Sequence, residues 1–521
     1  MNTNEFYAKA LTEYNAKNYD AALKILDEIK KLDPAYKDTY YMEAFIWHET
    51  GNPIKEFSVL EKILSRLNNP SPEEKDMVAK ILLNMASSCD NLNMIEQALN
   101  FYHLSVQFAS NKEIGFRALD NAISTANTAE NFSVDDFRAL YNEYKKYLTN
   151  IKPFPRKFYN HKKIRVGFLS GDFCGHPVVV QSWSLLTKLD KNFFKTYLYS
   201  NGKVNDNITE KLRLTADGWR DIYNLTDEQA AKLVRDDEID ILFDLSGHTA
   251  YNRLRVATYR PASVQISGIG DINSTGLDCF DYFLSDETCA GDENFFTEKV
   301  IKLPHSHFCH EPSTKLEPAD APPCLKNDFV TFGSFNQLKK VTDPILSAWK
   351  KILDAVPNSK LIIKNSLLNI RGWRNFIGER LKKFDFKFNQ VEMRSSSSTW
   401  LAEYGDVDIA LDTFPYTGGV TTCEALYMGV PVVSLYGKRH GSRFGLSILK
   451  NIGLEELAVD SYDEYINRAV MLAGDWELLT ILRKNLRTMM KKSPLMDSAN
   501  YLREVQDAFI KILSNERQKS H

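Results

Sequence analysis

Four short stretches of this 521-residue chain gather side chains that can hold an anion or move a proton. In DIALDTFPYTGGVTTCEALYMG, an apolar run ends at Asp412, Gly418 and Gly419 permit close approach, and Thr421 and Thr422 are expected to open a helix with Glu424 in its first turn. Such a helix start offers unpaired N–H groups, hydroxyls and the positive end of the helix dipole to a pyrophosphate, and a carboxylate there can accept from ribose hydroxyls. An ordinary helix-start carboxylate is the plainer role for Glu424. In FGSFNQLKK, Asn336, Gln337 and Lys340 follow another apolar run, where an ammonium can meet a phosphate oxygen, although a solvated surface lysine would look the same.

The other two stretches carry histidines. GDFCGHPVVV puts Asp172 and His176 after the run KIRVGFLS, with Gly171 and Gly175 beside them; Gly247, His248 and Thr249 follow IDILFDLS. One histidine at a turn is more often structural, but two at equivalent strand ends point to proton transfer. A third group, His305, His307, Cys309 and His310, has residue types that ligate zinc. It follows an expected strand end at Leu303 and Pro304 and has no second ligand pair at a metal-site spacing, so no metal is expected there. The acidic run DDEID, residues 236–240, lies at an expected strand start, away from the ligand end. The phosphate loop GxxxxGK[ST] is absent and GxGxxG signals are no better than chance, which weakens kinase and dehydrogenase readings.

These residues need strands to hold them. KIRVGFLS, KTYLYS, IDILFDLS and SVQISGIG read as buried strands separated by helical stretches, and FVTFGSF, SKLIIKN, DIALDTF and PVVSLYG repeat the pattern. Two α/β domains with parallel sheets are expected, over residues 160–318 and 326–515, entered through NIKPFPRKFYNHKK and divided by the turn-rich KLEPADAPPCLKND. Ligands of such sheets bind beyond the carboxyl ends of the strands, where all four stretches lie. Residues 1–150 are expected to be an all-α repeat domain. Tyr7 and Tyr41, Ala10 and Ala44, Leu26 and Leu60, and Ile29 and Ile63 share the tetratricopeptide period, and a third unit over 79–106 uses Ala86, Ala98 and Tyr102 after an insertion at Asn69, Pro70 and Pro72. The signature Trp and Gly positions of such repeats are largely missing.

Bulk properties narrow the function. The formal charge of -3 leaves no basic field for nucleic acid or an anionic membrane. No apolar run reaches membrane-helix length and the first residues are not a signal peptide, so a cytoplasmic location is expected. Seven cysteines, odd in number and without CxxC, fit a reduced compartment.

The blocks GDFCGHPV, DLSGHTAYNRL with RPASVQ, FGSFNQLKKVTDPILSAWKKILDAVPNSKL and LDTFPYTGGVTTCEALYMGVPVVSL resemble, in order, those of the protein O-linked N-acetylglucosamine transferases and their bacterial relatives. The resemblance spans roughly residues 160–480 and extends to the repeat-first layout. It implies two Rossmann-like domains of the GT-B type facing a cleft, and inverting, metal-independent transfer of N-acetylglucosamine or glucose from a UDP-sugar to Ser or Thr of a protein. The nucleotide sugar is then a co-substrate and no cofactor is needed; the repeats are expected to present the acceptor. By the same resemblance, His176 is the active-site histidine, Gln337 and Lys340 the donor-phosphate pair, Thr421 the pyrophosphate-binding threonine and Glu424 the ribose carboxylate. His248 is the second candidate proton carrier, while Gly418, Gly419 and Thr422 complete the donor turn. Departures fall at Asp271 and Asn273, where the family has aromatic and proline positions, and at Ser397 and Trp400, where animal members have lysine and histidine. Related enzymes of this layout use GDP-fucose or glycosylate asparagine; a catalytically inactive repeat scaffold and an epimerase are the readings from other classes.

Overall fold

A computed structural model describes residues 2–67, 71, 74–312 and 314–519. The expected insertion at Asn69, Pro70 and Pro72 lies outside the described residues. By internal contacts the chain divides into two compact units, residues 1–126 with 365–383, and residues 127–364 with 384–521.

The first unit is a run of antiparallel helix pairs. Thr3–Asn15 packs on Tyr19–Leu32, Lys37–Glu49 on Pro53–Leu64, and Lys75–Asn91 on Ile95–Phe108, followed by Lys112–Ala126. The repeat positions explain the pairing. Ala10, Ala44, Ala86 and Ala98 are buried where small side chains let helices approach, and Leu26, Ile29, Leu60 and Ile63 fill the space between them. The helix Arg371–Lys383 belongs to this unit although it is far along the chain. Its Trp373 indole N–H donates to the Gly51 carbonyl at 2.7 Å, and Gly372 lies against the Asn52 side chain.

The second unit contains two parallel sheets, each covered by helices. The first holds β1 (Ile164–Ser170), β2 (Phe194–Ser200), β3 (Gly218–Asp221), β4 (Ile241–Asp244), β5 (Val264–Gly268), β6 (Tyr282–Asp286) and β7 (Lys299–Leu303), in the order β3-β2-β1-β4-β5-β6-β7. The second holds β8 (Thr331–Ser334), β9 (Lys360–Lys364), β10 (Val391–Arg394), β11 (Ile409–Leu411), β12 (Val432–Leu435) and β13 (Ala458–Val459), in the order β10-β9-β8-β11-β12-β13. Strands β4, β5 and β6 are buried throughout, as sheets covered on both faces require. Strand order reverses between β1 and β4 in one sheet and between β8 and β11 in the other. Those crevices are where open α/β sheets bind ligands, and they are flanked by the four strands that carry the four chemical stretches. The helix Val134–Lys146 also lies in this unit, bound through the Tyr141 hydroxyl to the Ser274 carbonyl. The last helix, Ser498–Lys519, returns to the first sheet, where Phe509 packs on Phe243 and Glu516 accepts from the Tyr282 hydroxyl.

The loop after β5 is held so tightly that one methyl group would disturb it. A Cβ at Gly270 would fall 1.7 Å from the Leu245 carbonyl oxygen and 2.9 Å from a Val178 methyl. Neither neighbour is the mobile end of a long side chain, so Gly270→Ala must shift backbone. The expected cost is about 1–3 kcal/mol, read as a fall of roughly 1–4 °C in the thermal midpoint of this large unit; an unchanged midpoint would show the loop to be looser than this geometry.

Candidate active site

The second-sheet half of the site is built on β8 and β11. Asp412, one residue past β11, is buried and accepts from the N–H groups of Thr413 (2.8 Å) and Gly418 (2.7 Å) and from the Ser434 hydroxyl (2.7 Å). Those bonds fold the segment back into a turn that delivers the helix Val420–Tyr427. Gly419 is its N-cap and supplies no side chain; Cys423 is the first residue to donate back into the helix. The amides of Val420, Thr421 and Thr422 therefore precede the intrahelical ladder and point out of its positive end. The Thr421 hydroxyl donates to Asn336 Oδ1 at 3.0 Å, linking this helix to the loop after β8.

One expectation is corrected here. Glu424 is not in the first turn, because the helix starts at Val420 behind a glycine cap and not at the threonines. It sits one turn in, where it gains less from the helix dipole, and burial lifts its carboxyl to about 8.

Lys340 closes the short 3-10 turn Leu338–Lys340 and is buried. Its ammonium lies 3.3 Å from the centre of the Tyr416 ring and donates to the Thr417 carbonyl at 3.2 Å. Loss of water outweighs the attraction of Asp412 and brings the amine down to about 7. No carboxylate is within salt-bridge reach of it among the described residues, so a buried cation here is short of an anion. Gln337 caps the same turn and its side chain is exposed. Between β8 and β11 a small pocket is lined by Ser334, Phe335, Asn336, Tyr404, Asp412, Thr421 and Thr422. Phe335 and Tyr404 stack at 4.4 Å on its wall, and the Tyr404 hydroxyl donates to the Thr421 carbonyl at 3.3 Å.

The first-sheet half faces it. His176 is the N-cap of the helix Pro177–Thr187, with Nδ1 3.4 Å from the Val178 N–H and 3.8 Å from Asp172 Oδ2. Its side chain is 45% exposed. Burial raises the Asp172 carboxyl, and a charged His176 would oppose that rise. Gln181 of the same helix approaches the glycine turn, since a Cβ at Gly419 would fall 2.8 Å from its Nε2. His248 is set differently. It is buried between Tyr141 and Tyr144, and Nε2 donates to the Thr275 carbonyl at 2.8 Å. Asp244 and Asp271 lie close enough to feel its charge, and burial lifts them to about 6 and about 8.

Asn336, Thr421 and Thr422 thus line one pocket; Gly418 lies against both threonine hydroxyls and Lys340 is bonded to the neighbouring Thr417 carbonyl, outside that lining, while His248 is packed into the body of the first domain. Tyr416, Tyr404 and Phe335 are additions that residue type alone did not single out; the position of Tyr416 two residues before the glycine pair was the one available signal. Ser397 bonds Glu403, which also holds Lys364 at 2.7 Å. The DDEID acids are used structurally, Asp237 on Arg220 and Asp240 on His161. The His305 group disperses: His305 pairs with Glu504 and His310 is buried beside Tyr427. Among the described residues no helix is long and apolar enough to cross a membrane, and all seven cysteines are free thiols.

The sequence profile of glycosyl transferase family 41 matches residues 147–319 and 311–505, which contain both sheets and every residue of this crevice. The chain belongs to glycosyl transferase family 41. Among curated relatives of this family 41 chain, a tomato (Solanum lycopersicum) protein described as a probable UDP-N-acetylglucosamine–peptide N-acetylglucosaminyltransferase, SPINDLY, is 36% identical over 382 residues. That match covers 72% of this chain and 40% of the tomato protein. An Arabidopsis thaliana protein with the same enzyme description, SEC, is 27% identical over 366 residues, or 67% of this chain and 37% of its own. The family 41 chain here therefore spans about 40% of the length of such relatives. A solved structure of a mutant O-GlcNAc transferase from Thermobaculum terrenum matches with a TM-score of 0.86 and 26% identity, covering 100% of this chain and 98% of that one. The helical repeats followed by two Rossmann-like domains are thus the arrangement of an O-GlcNAc transferase of the GT-B type.

Proposed function

We propose that this family 41 chain transfers a sugar, N-acetylglucosamine or glucose, from a UDP-sugar to a serine or threonine hydroxyl of a protein, with inversion and without a catalytic metal. The observation that carries the reading is the meeting of a buried, anion-deficient Lys340 with the uncapped start of the helix Val420–Tyr427 at one switch point. Together they supply fixed positive potential where charge grows on a diphosphate leaving group. The acceptor oxygen attacks the anomeric carbon as its bond to the β-phosphate oxygen breaks, and the hydroxyl proton passes to a base. His176, half-exposed at a helix start, is better placed for that than His248, whose Nε2 is committed to a backbone carbonyl. Gln337 with Lys340 holds the phosphates, Gly418 and Gly419 admit them to the amides, Thr421 and Thr422 bind them and Glu424 takes the ribose. The likeness to peptide-modifying relatives supports a protein acceptor; the tetratricopeptide-like repeats would present it.

Incubation with UDP-N-acetylglucosamine, UDP-glucose and GDP-fucose in turn, with a host lysate as acceptor source, followed by intact-mass measurement, tests this. Adducts from a UDP-sugar on Ser or Thr are expected. Adducts from GDP-fucose alone, or on Asn alone, would replace the donor or acceptor assignment. Conversion of free donor without adducts would make it an epimerase, and no turnover at all would leave a binding scaffold.

Lys340 gives the reading a pH signature. A diphosphate beside its nitrogen favours the ammonium and raises a group that burial had brought to about 7. Binding of UDP at about pH 8 should therefore take up a proton, and each pH unit above about 7 should weaken it by up to about tenfold. Glu424 titrates in the same range, so the measurement belongs on Glu424→Gln. Calorimetry in Tris and in phosphate should give apparent enthalpies that differ in the sense of uptake; equal enthalpies would remove Lys340 from the phosphate contact.

A further inference from the structure

Away from the pocket, three buried side chains with metal-ligating atoms converge between the two sheets. Cys289 Sγ and ring nitrogens of His307 and His440 all lie within 4.8 Å of one another. They arrive from separate segments: Cys289 from the turn after β6, His307 from the stretch after β7, and His440 from the 3-10 turn His440–Ser442 beyond β12. Each is essentially without solvent exposure.

The protonation pattern fits an ion. His307 Nδ1 stands 2.6 Å from Asp286 Oδ2; a carboxylate accepts, so the proton is on Nδ1 and the lone pair on Nε2. That Nε2 is buried with no hydrogen-bond partner among the described residues. Neither nitrogen of His440 has a partner in hydrogen-bond geometry. A neutral imidazole keeps a lone pair on one of its two nitrogens. Buried polar atoms ordinarily find partners, and three unpaired imidazole nitrogens beside a buried thiol are costly as they stand. Phe283 and Phe444 meet the His440 ring edge-on at 5.1 Å, so no side-chain donor comes from those directions. A carboxylate holding one imidazole nitrogen while the other faces a metal is the usual outer support of a zinc histidine.

We propose that Cys289, His307 and His440 bind a structural zinc ion between the two Rossmann-like domains, with Asp286 orienting His307. Zinc bonds of about 2.0–2.3 Å place ligand atoms roughly 3.5 Å apart, so side-chain shifts of about an ångström close the site. Cys289 binds as thiolate and releases its proton to solvent, and water completes a fourth position. The zinc takes no part in sugar transfer. The His305–His310 stretch contributes only His307, because the remaining ligands come from parts of the chain that no local spacing connects to it.

Untagged full-length protein, stripped with a chelator, is titrated with zinc chloride alone, passed through gel filtration and assayed for metal by mass spectrometry. About one zinc per chain is expected for the native sequence and for Cys309→Ser, whose thiol is buried outside the cluster. Cys289→Ser and His440→Phe should lose it, and Asp286→Asn should bind about 10–100-fold more weakly. Cobalt substitution should give a thiolate charge-transfer band that Cys289→Ser lacks. Native protein that retains no zinc overturns the proposal whatever the variants do. So does zinc retained equally by Cys289→Ser and His440→Phe.

Discussion

Lys340→Met is expected to slow sugar transfer by about 10²–10³-fold while leaving the protein folded. The side chain is buried, with its nitrogen over the Tyr416 ring and against the Thr417 carbonyl, and has no carboxylate partner at salt-bridge distance among the described residues. Methionine keeps most of the volume and removes a cation that burial disfavours, so turnover should be lost without a loss of stability. Stability adds a second readout with a definite sign. The folded amine, at about 7, lies below its ordinary 10.5, so between those values the unfolded chain binds more protons and the native protein gains stability as pH rises. Below about 7 the full cost of burying the ammonium is present. Lys340→Met should lack that rise, flattening the thermal midpoint between about pH 7 and 10 relative to the native sequence. Transfer within a few-fold of native would mean that charge on the leaving group is met elsewhere and would unseat the donor site as drawn.

The parts of the candidate site were legible in the sequence where they are local. Gly418 to Glu424, Asn336 to Lys340 and Asp172 to His176 each follow one apolar run, and a strand-then-turn pattern fixes where such residues point. The strands that define the switch points, β1, β4, β8 and β11, all lie in runs that sequence marks. What stayed hidden depends on distant or weak signals. β3 and β10 are short edge strands, half-exposed and polar, as GWRD and VEMR show. β6 is fully buried, but no helix separates it from β5 among the described residues, so the strand–helix alternation that marks its neighbours is missing. Residues 365–383 sit inside the second α/β stretch yet belong to the helical unit, through contacts such as Trp373 to Gly51 that no periodicity encodes. The helix Val420–Tyr427 starts one residue before the expected threonines, with a glycine in the cap position.

That glycine-led start makes Gly418→Ala the sharpest test of how the turn binds. A Cβ at 418 would fall 2.4 Å from the Thr422 hydroxyl, 2.7 Å from the Thr421 hydroxyl and 3.1 Å from Asp412 Oδ1. The backbone there needs no left-handed conformation, since Gly418 is not among the residues with positive φ. The methyl group therefore displaces the two hydroxyls and crowds the approach to the helix start, without straining the chain that carries it. Thr422 is buried and cannot turn outward freely, so its hydroxyl and the Asp412 contact must give together. Affinity for UDP should fall by about 10–100-fold, corresponding to about 1.4–2.8 kcal/mol, with a thermal midpoint near that of the native sequence. Placed beside Lys340→Met, the variant separates two roles: the lysine acts on charge and its loss should fall mainly on turnover, whereas the glycine acts on access and its loss should fall mainly on binding. If Gly418→Ala binds UDP as tightly as the native chain, the diphosphate does not rest on the start of the helix Val420–Tyr427, and Lys340 would have to hold it from the other side alone.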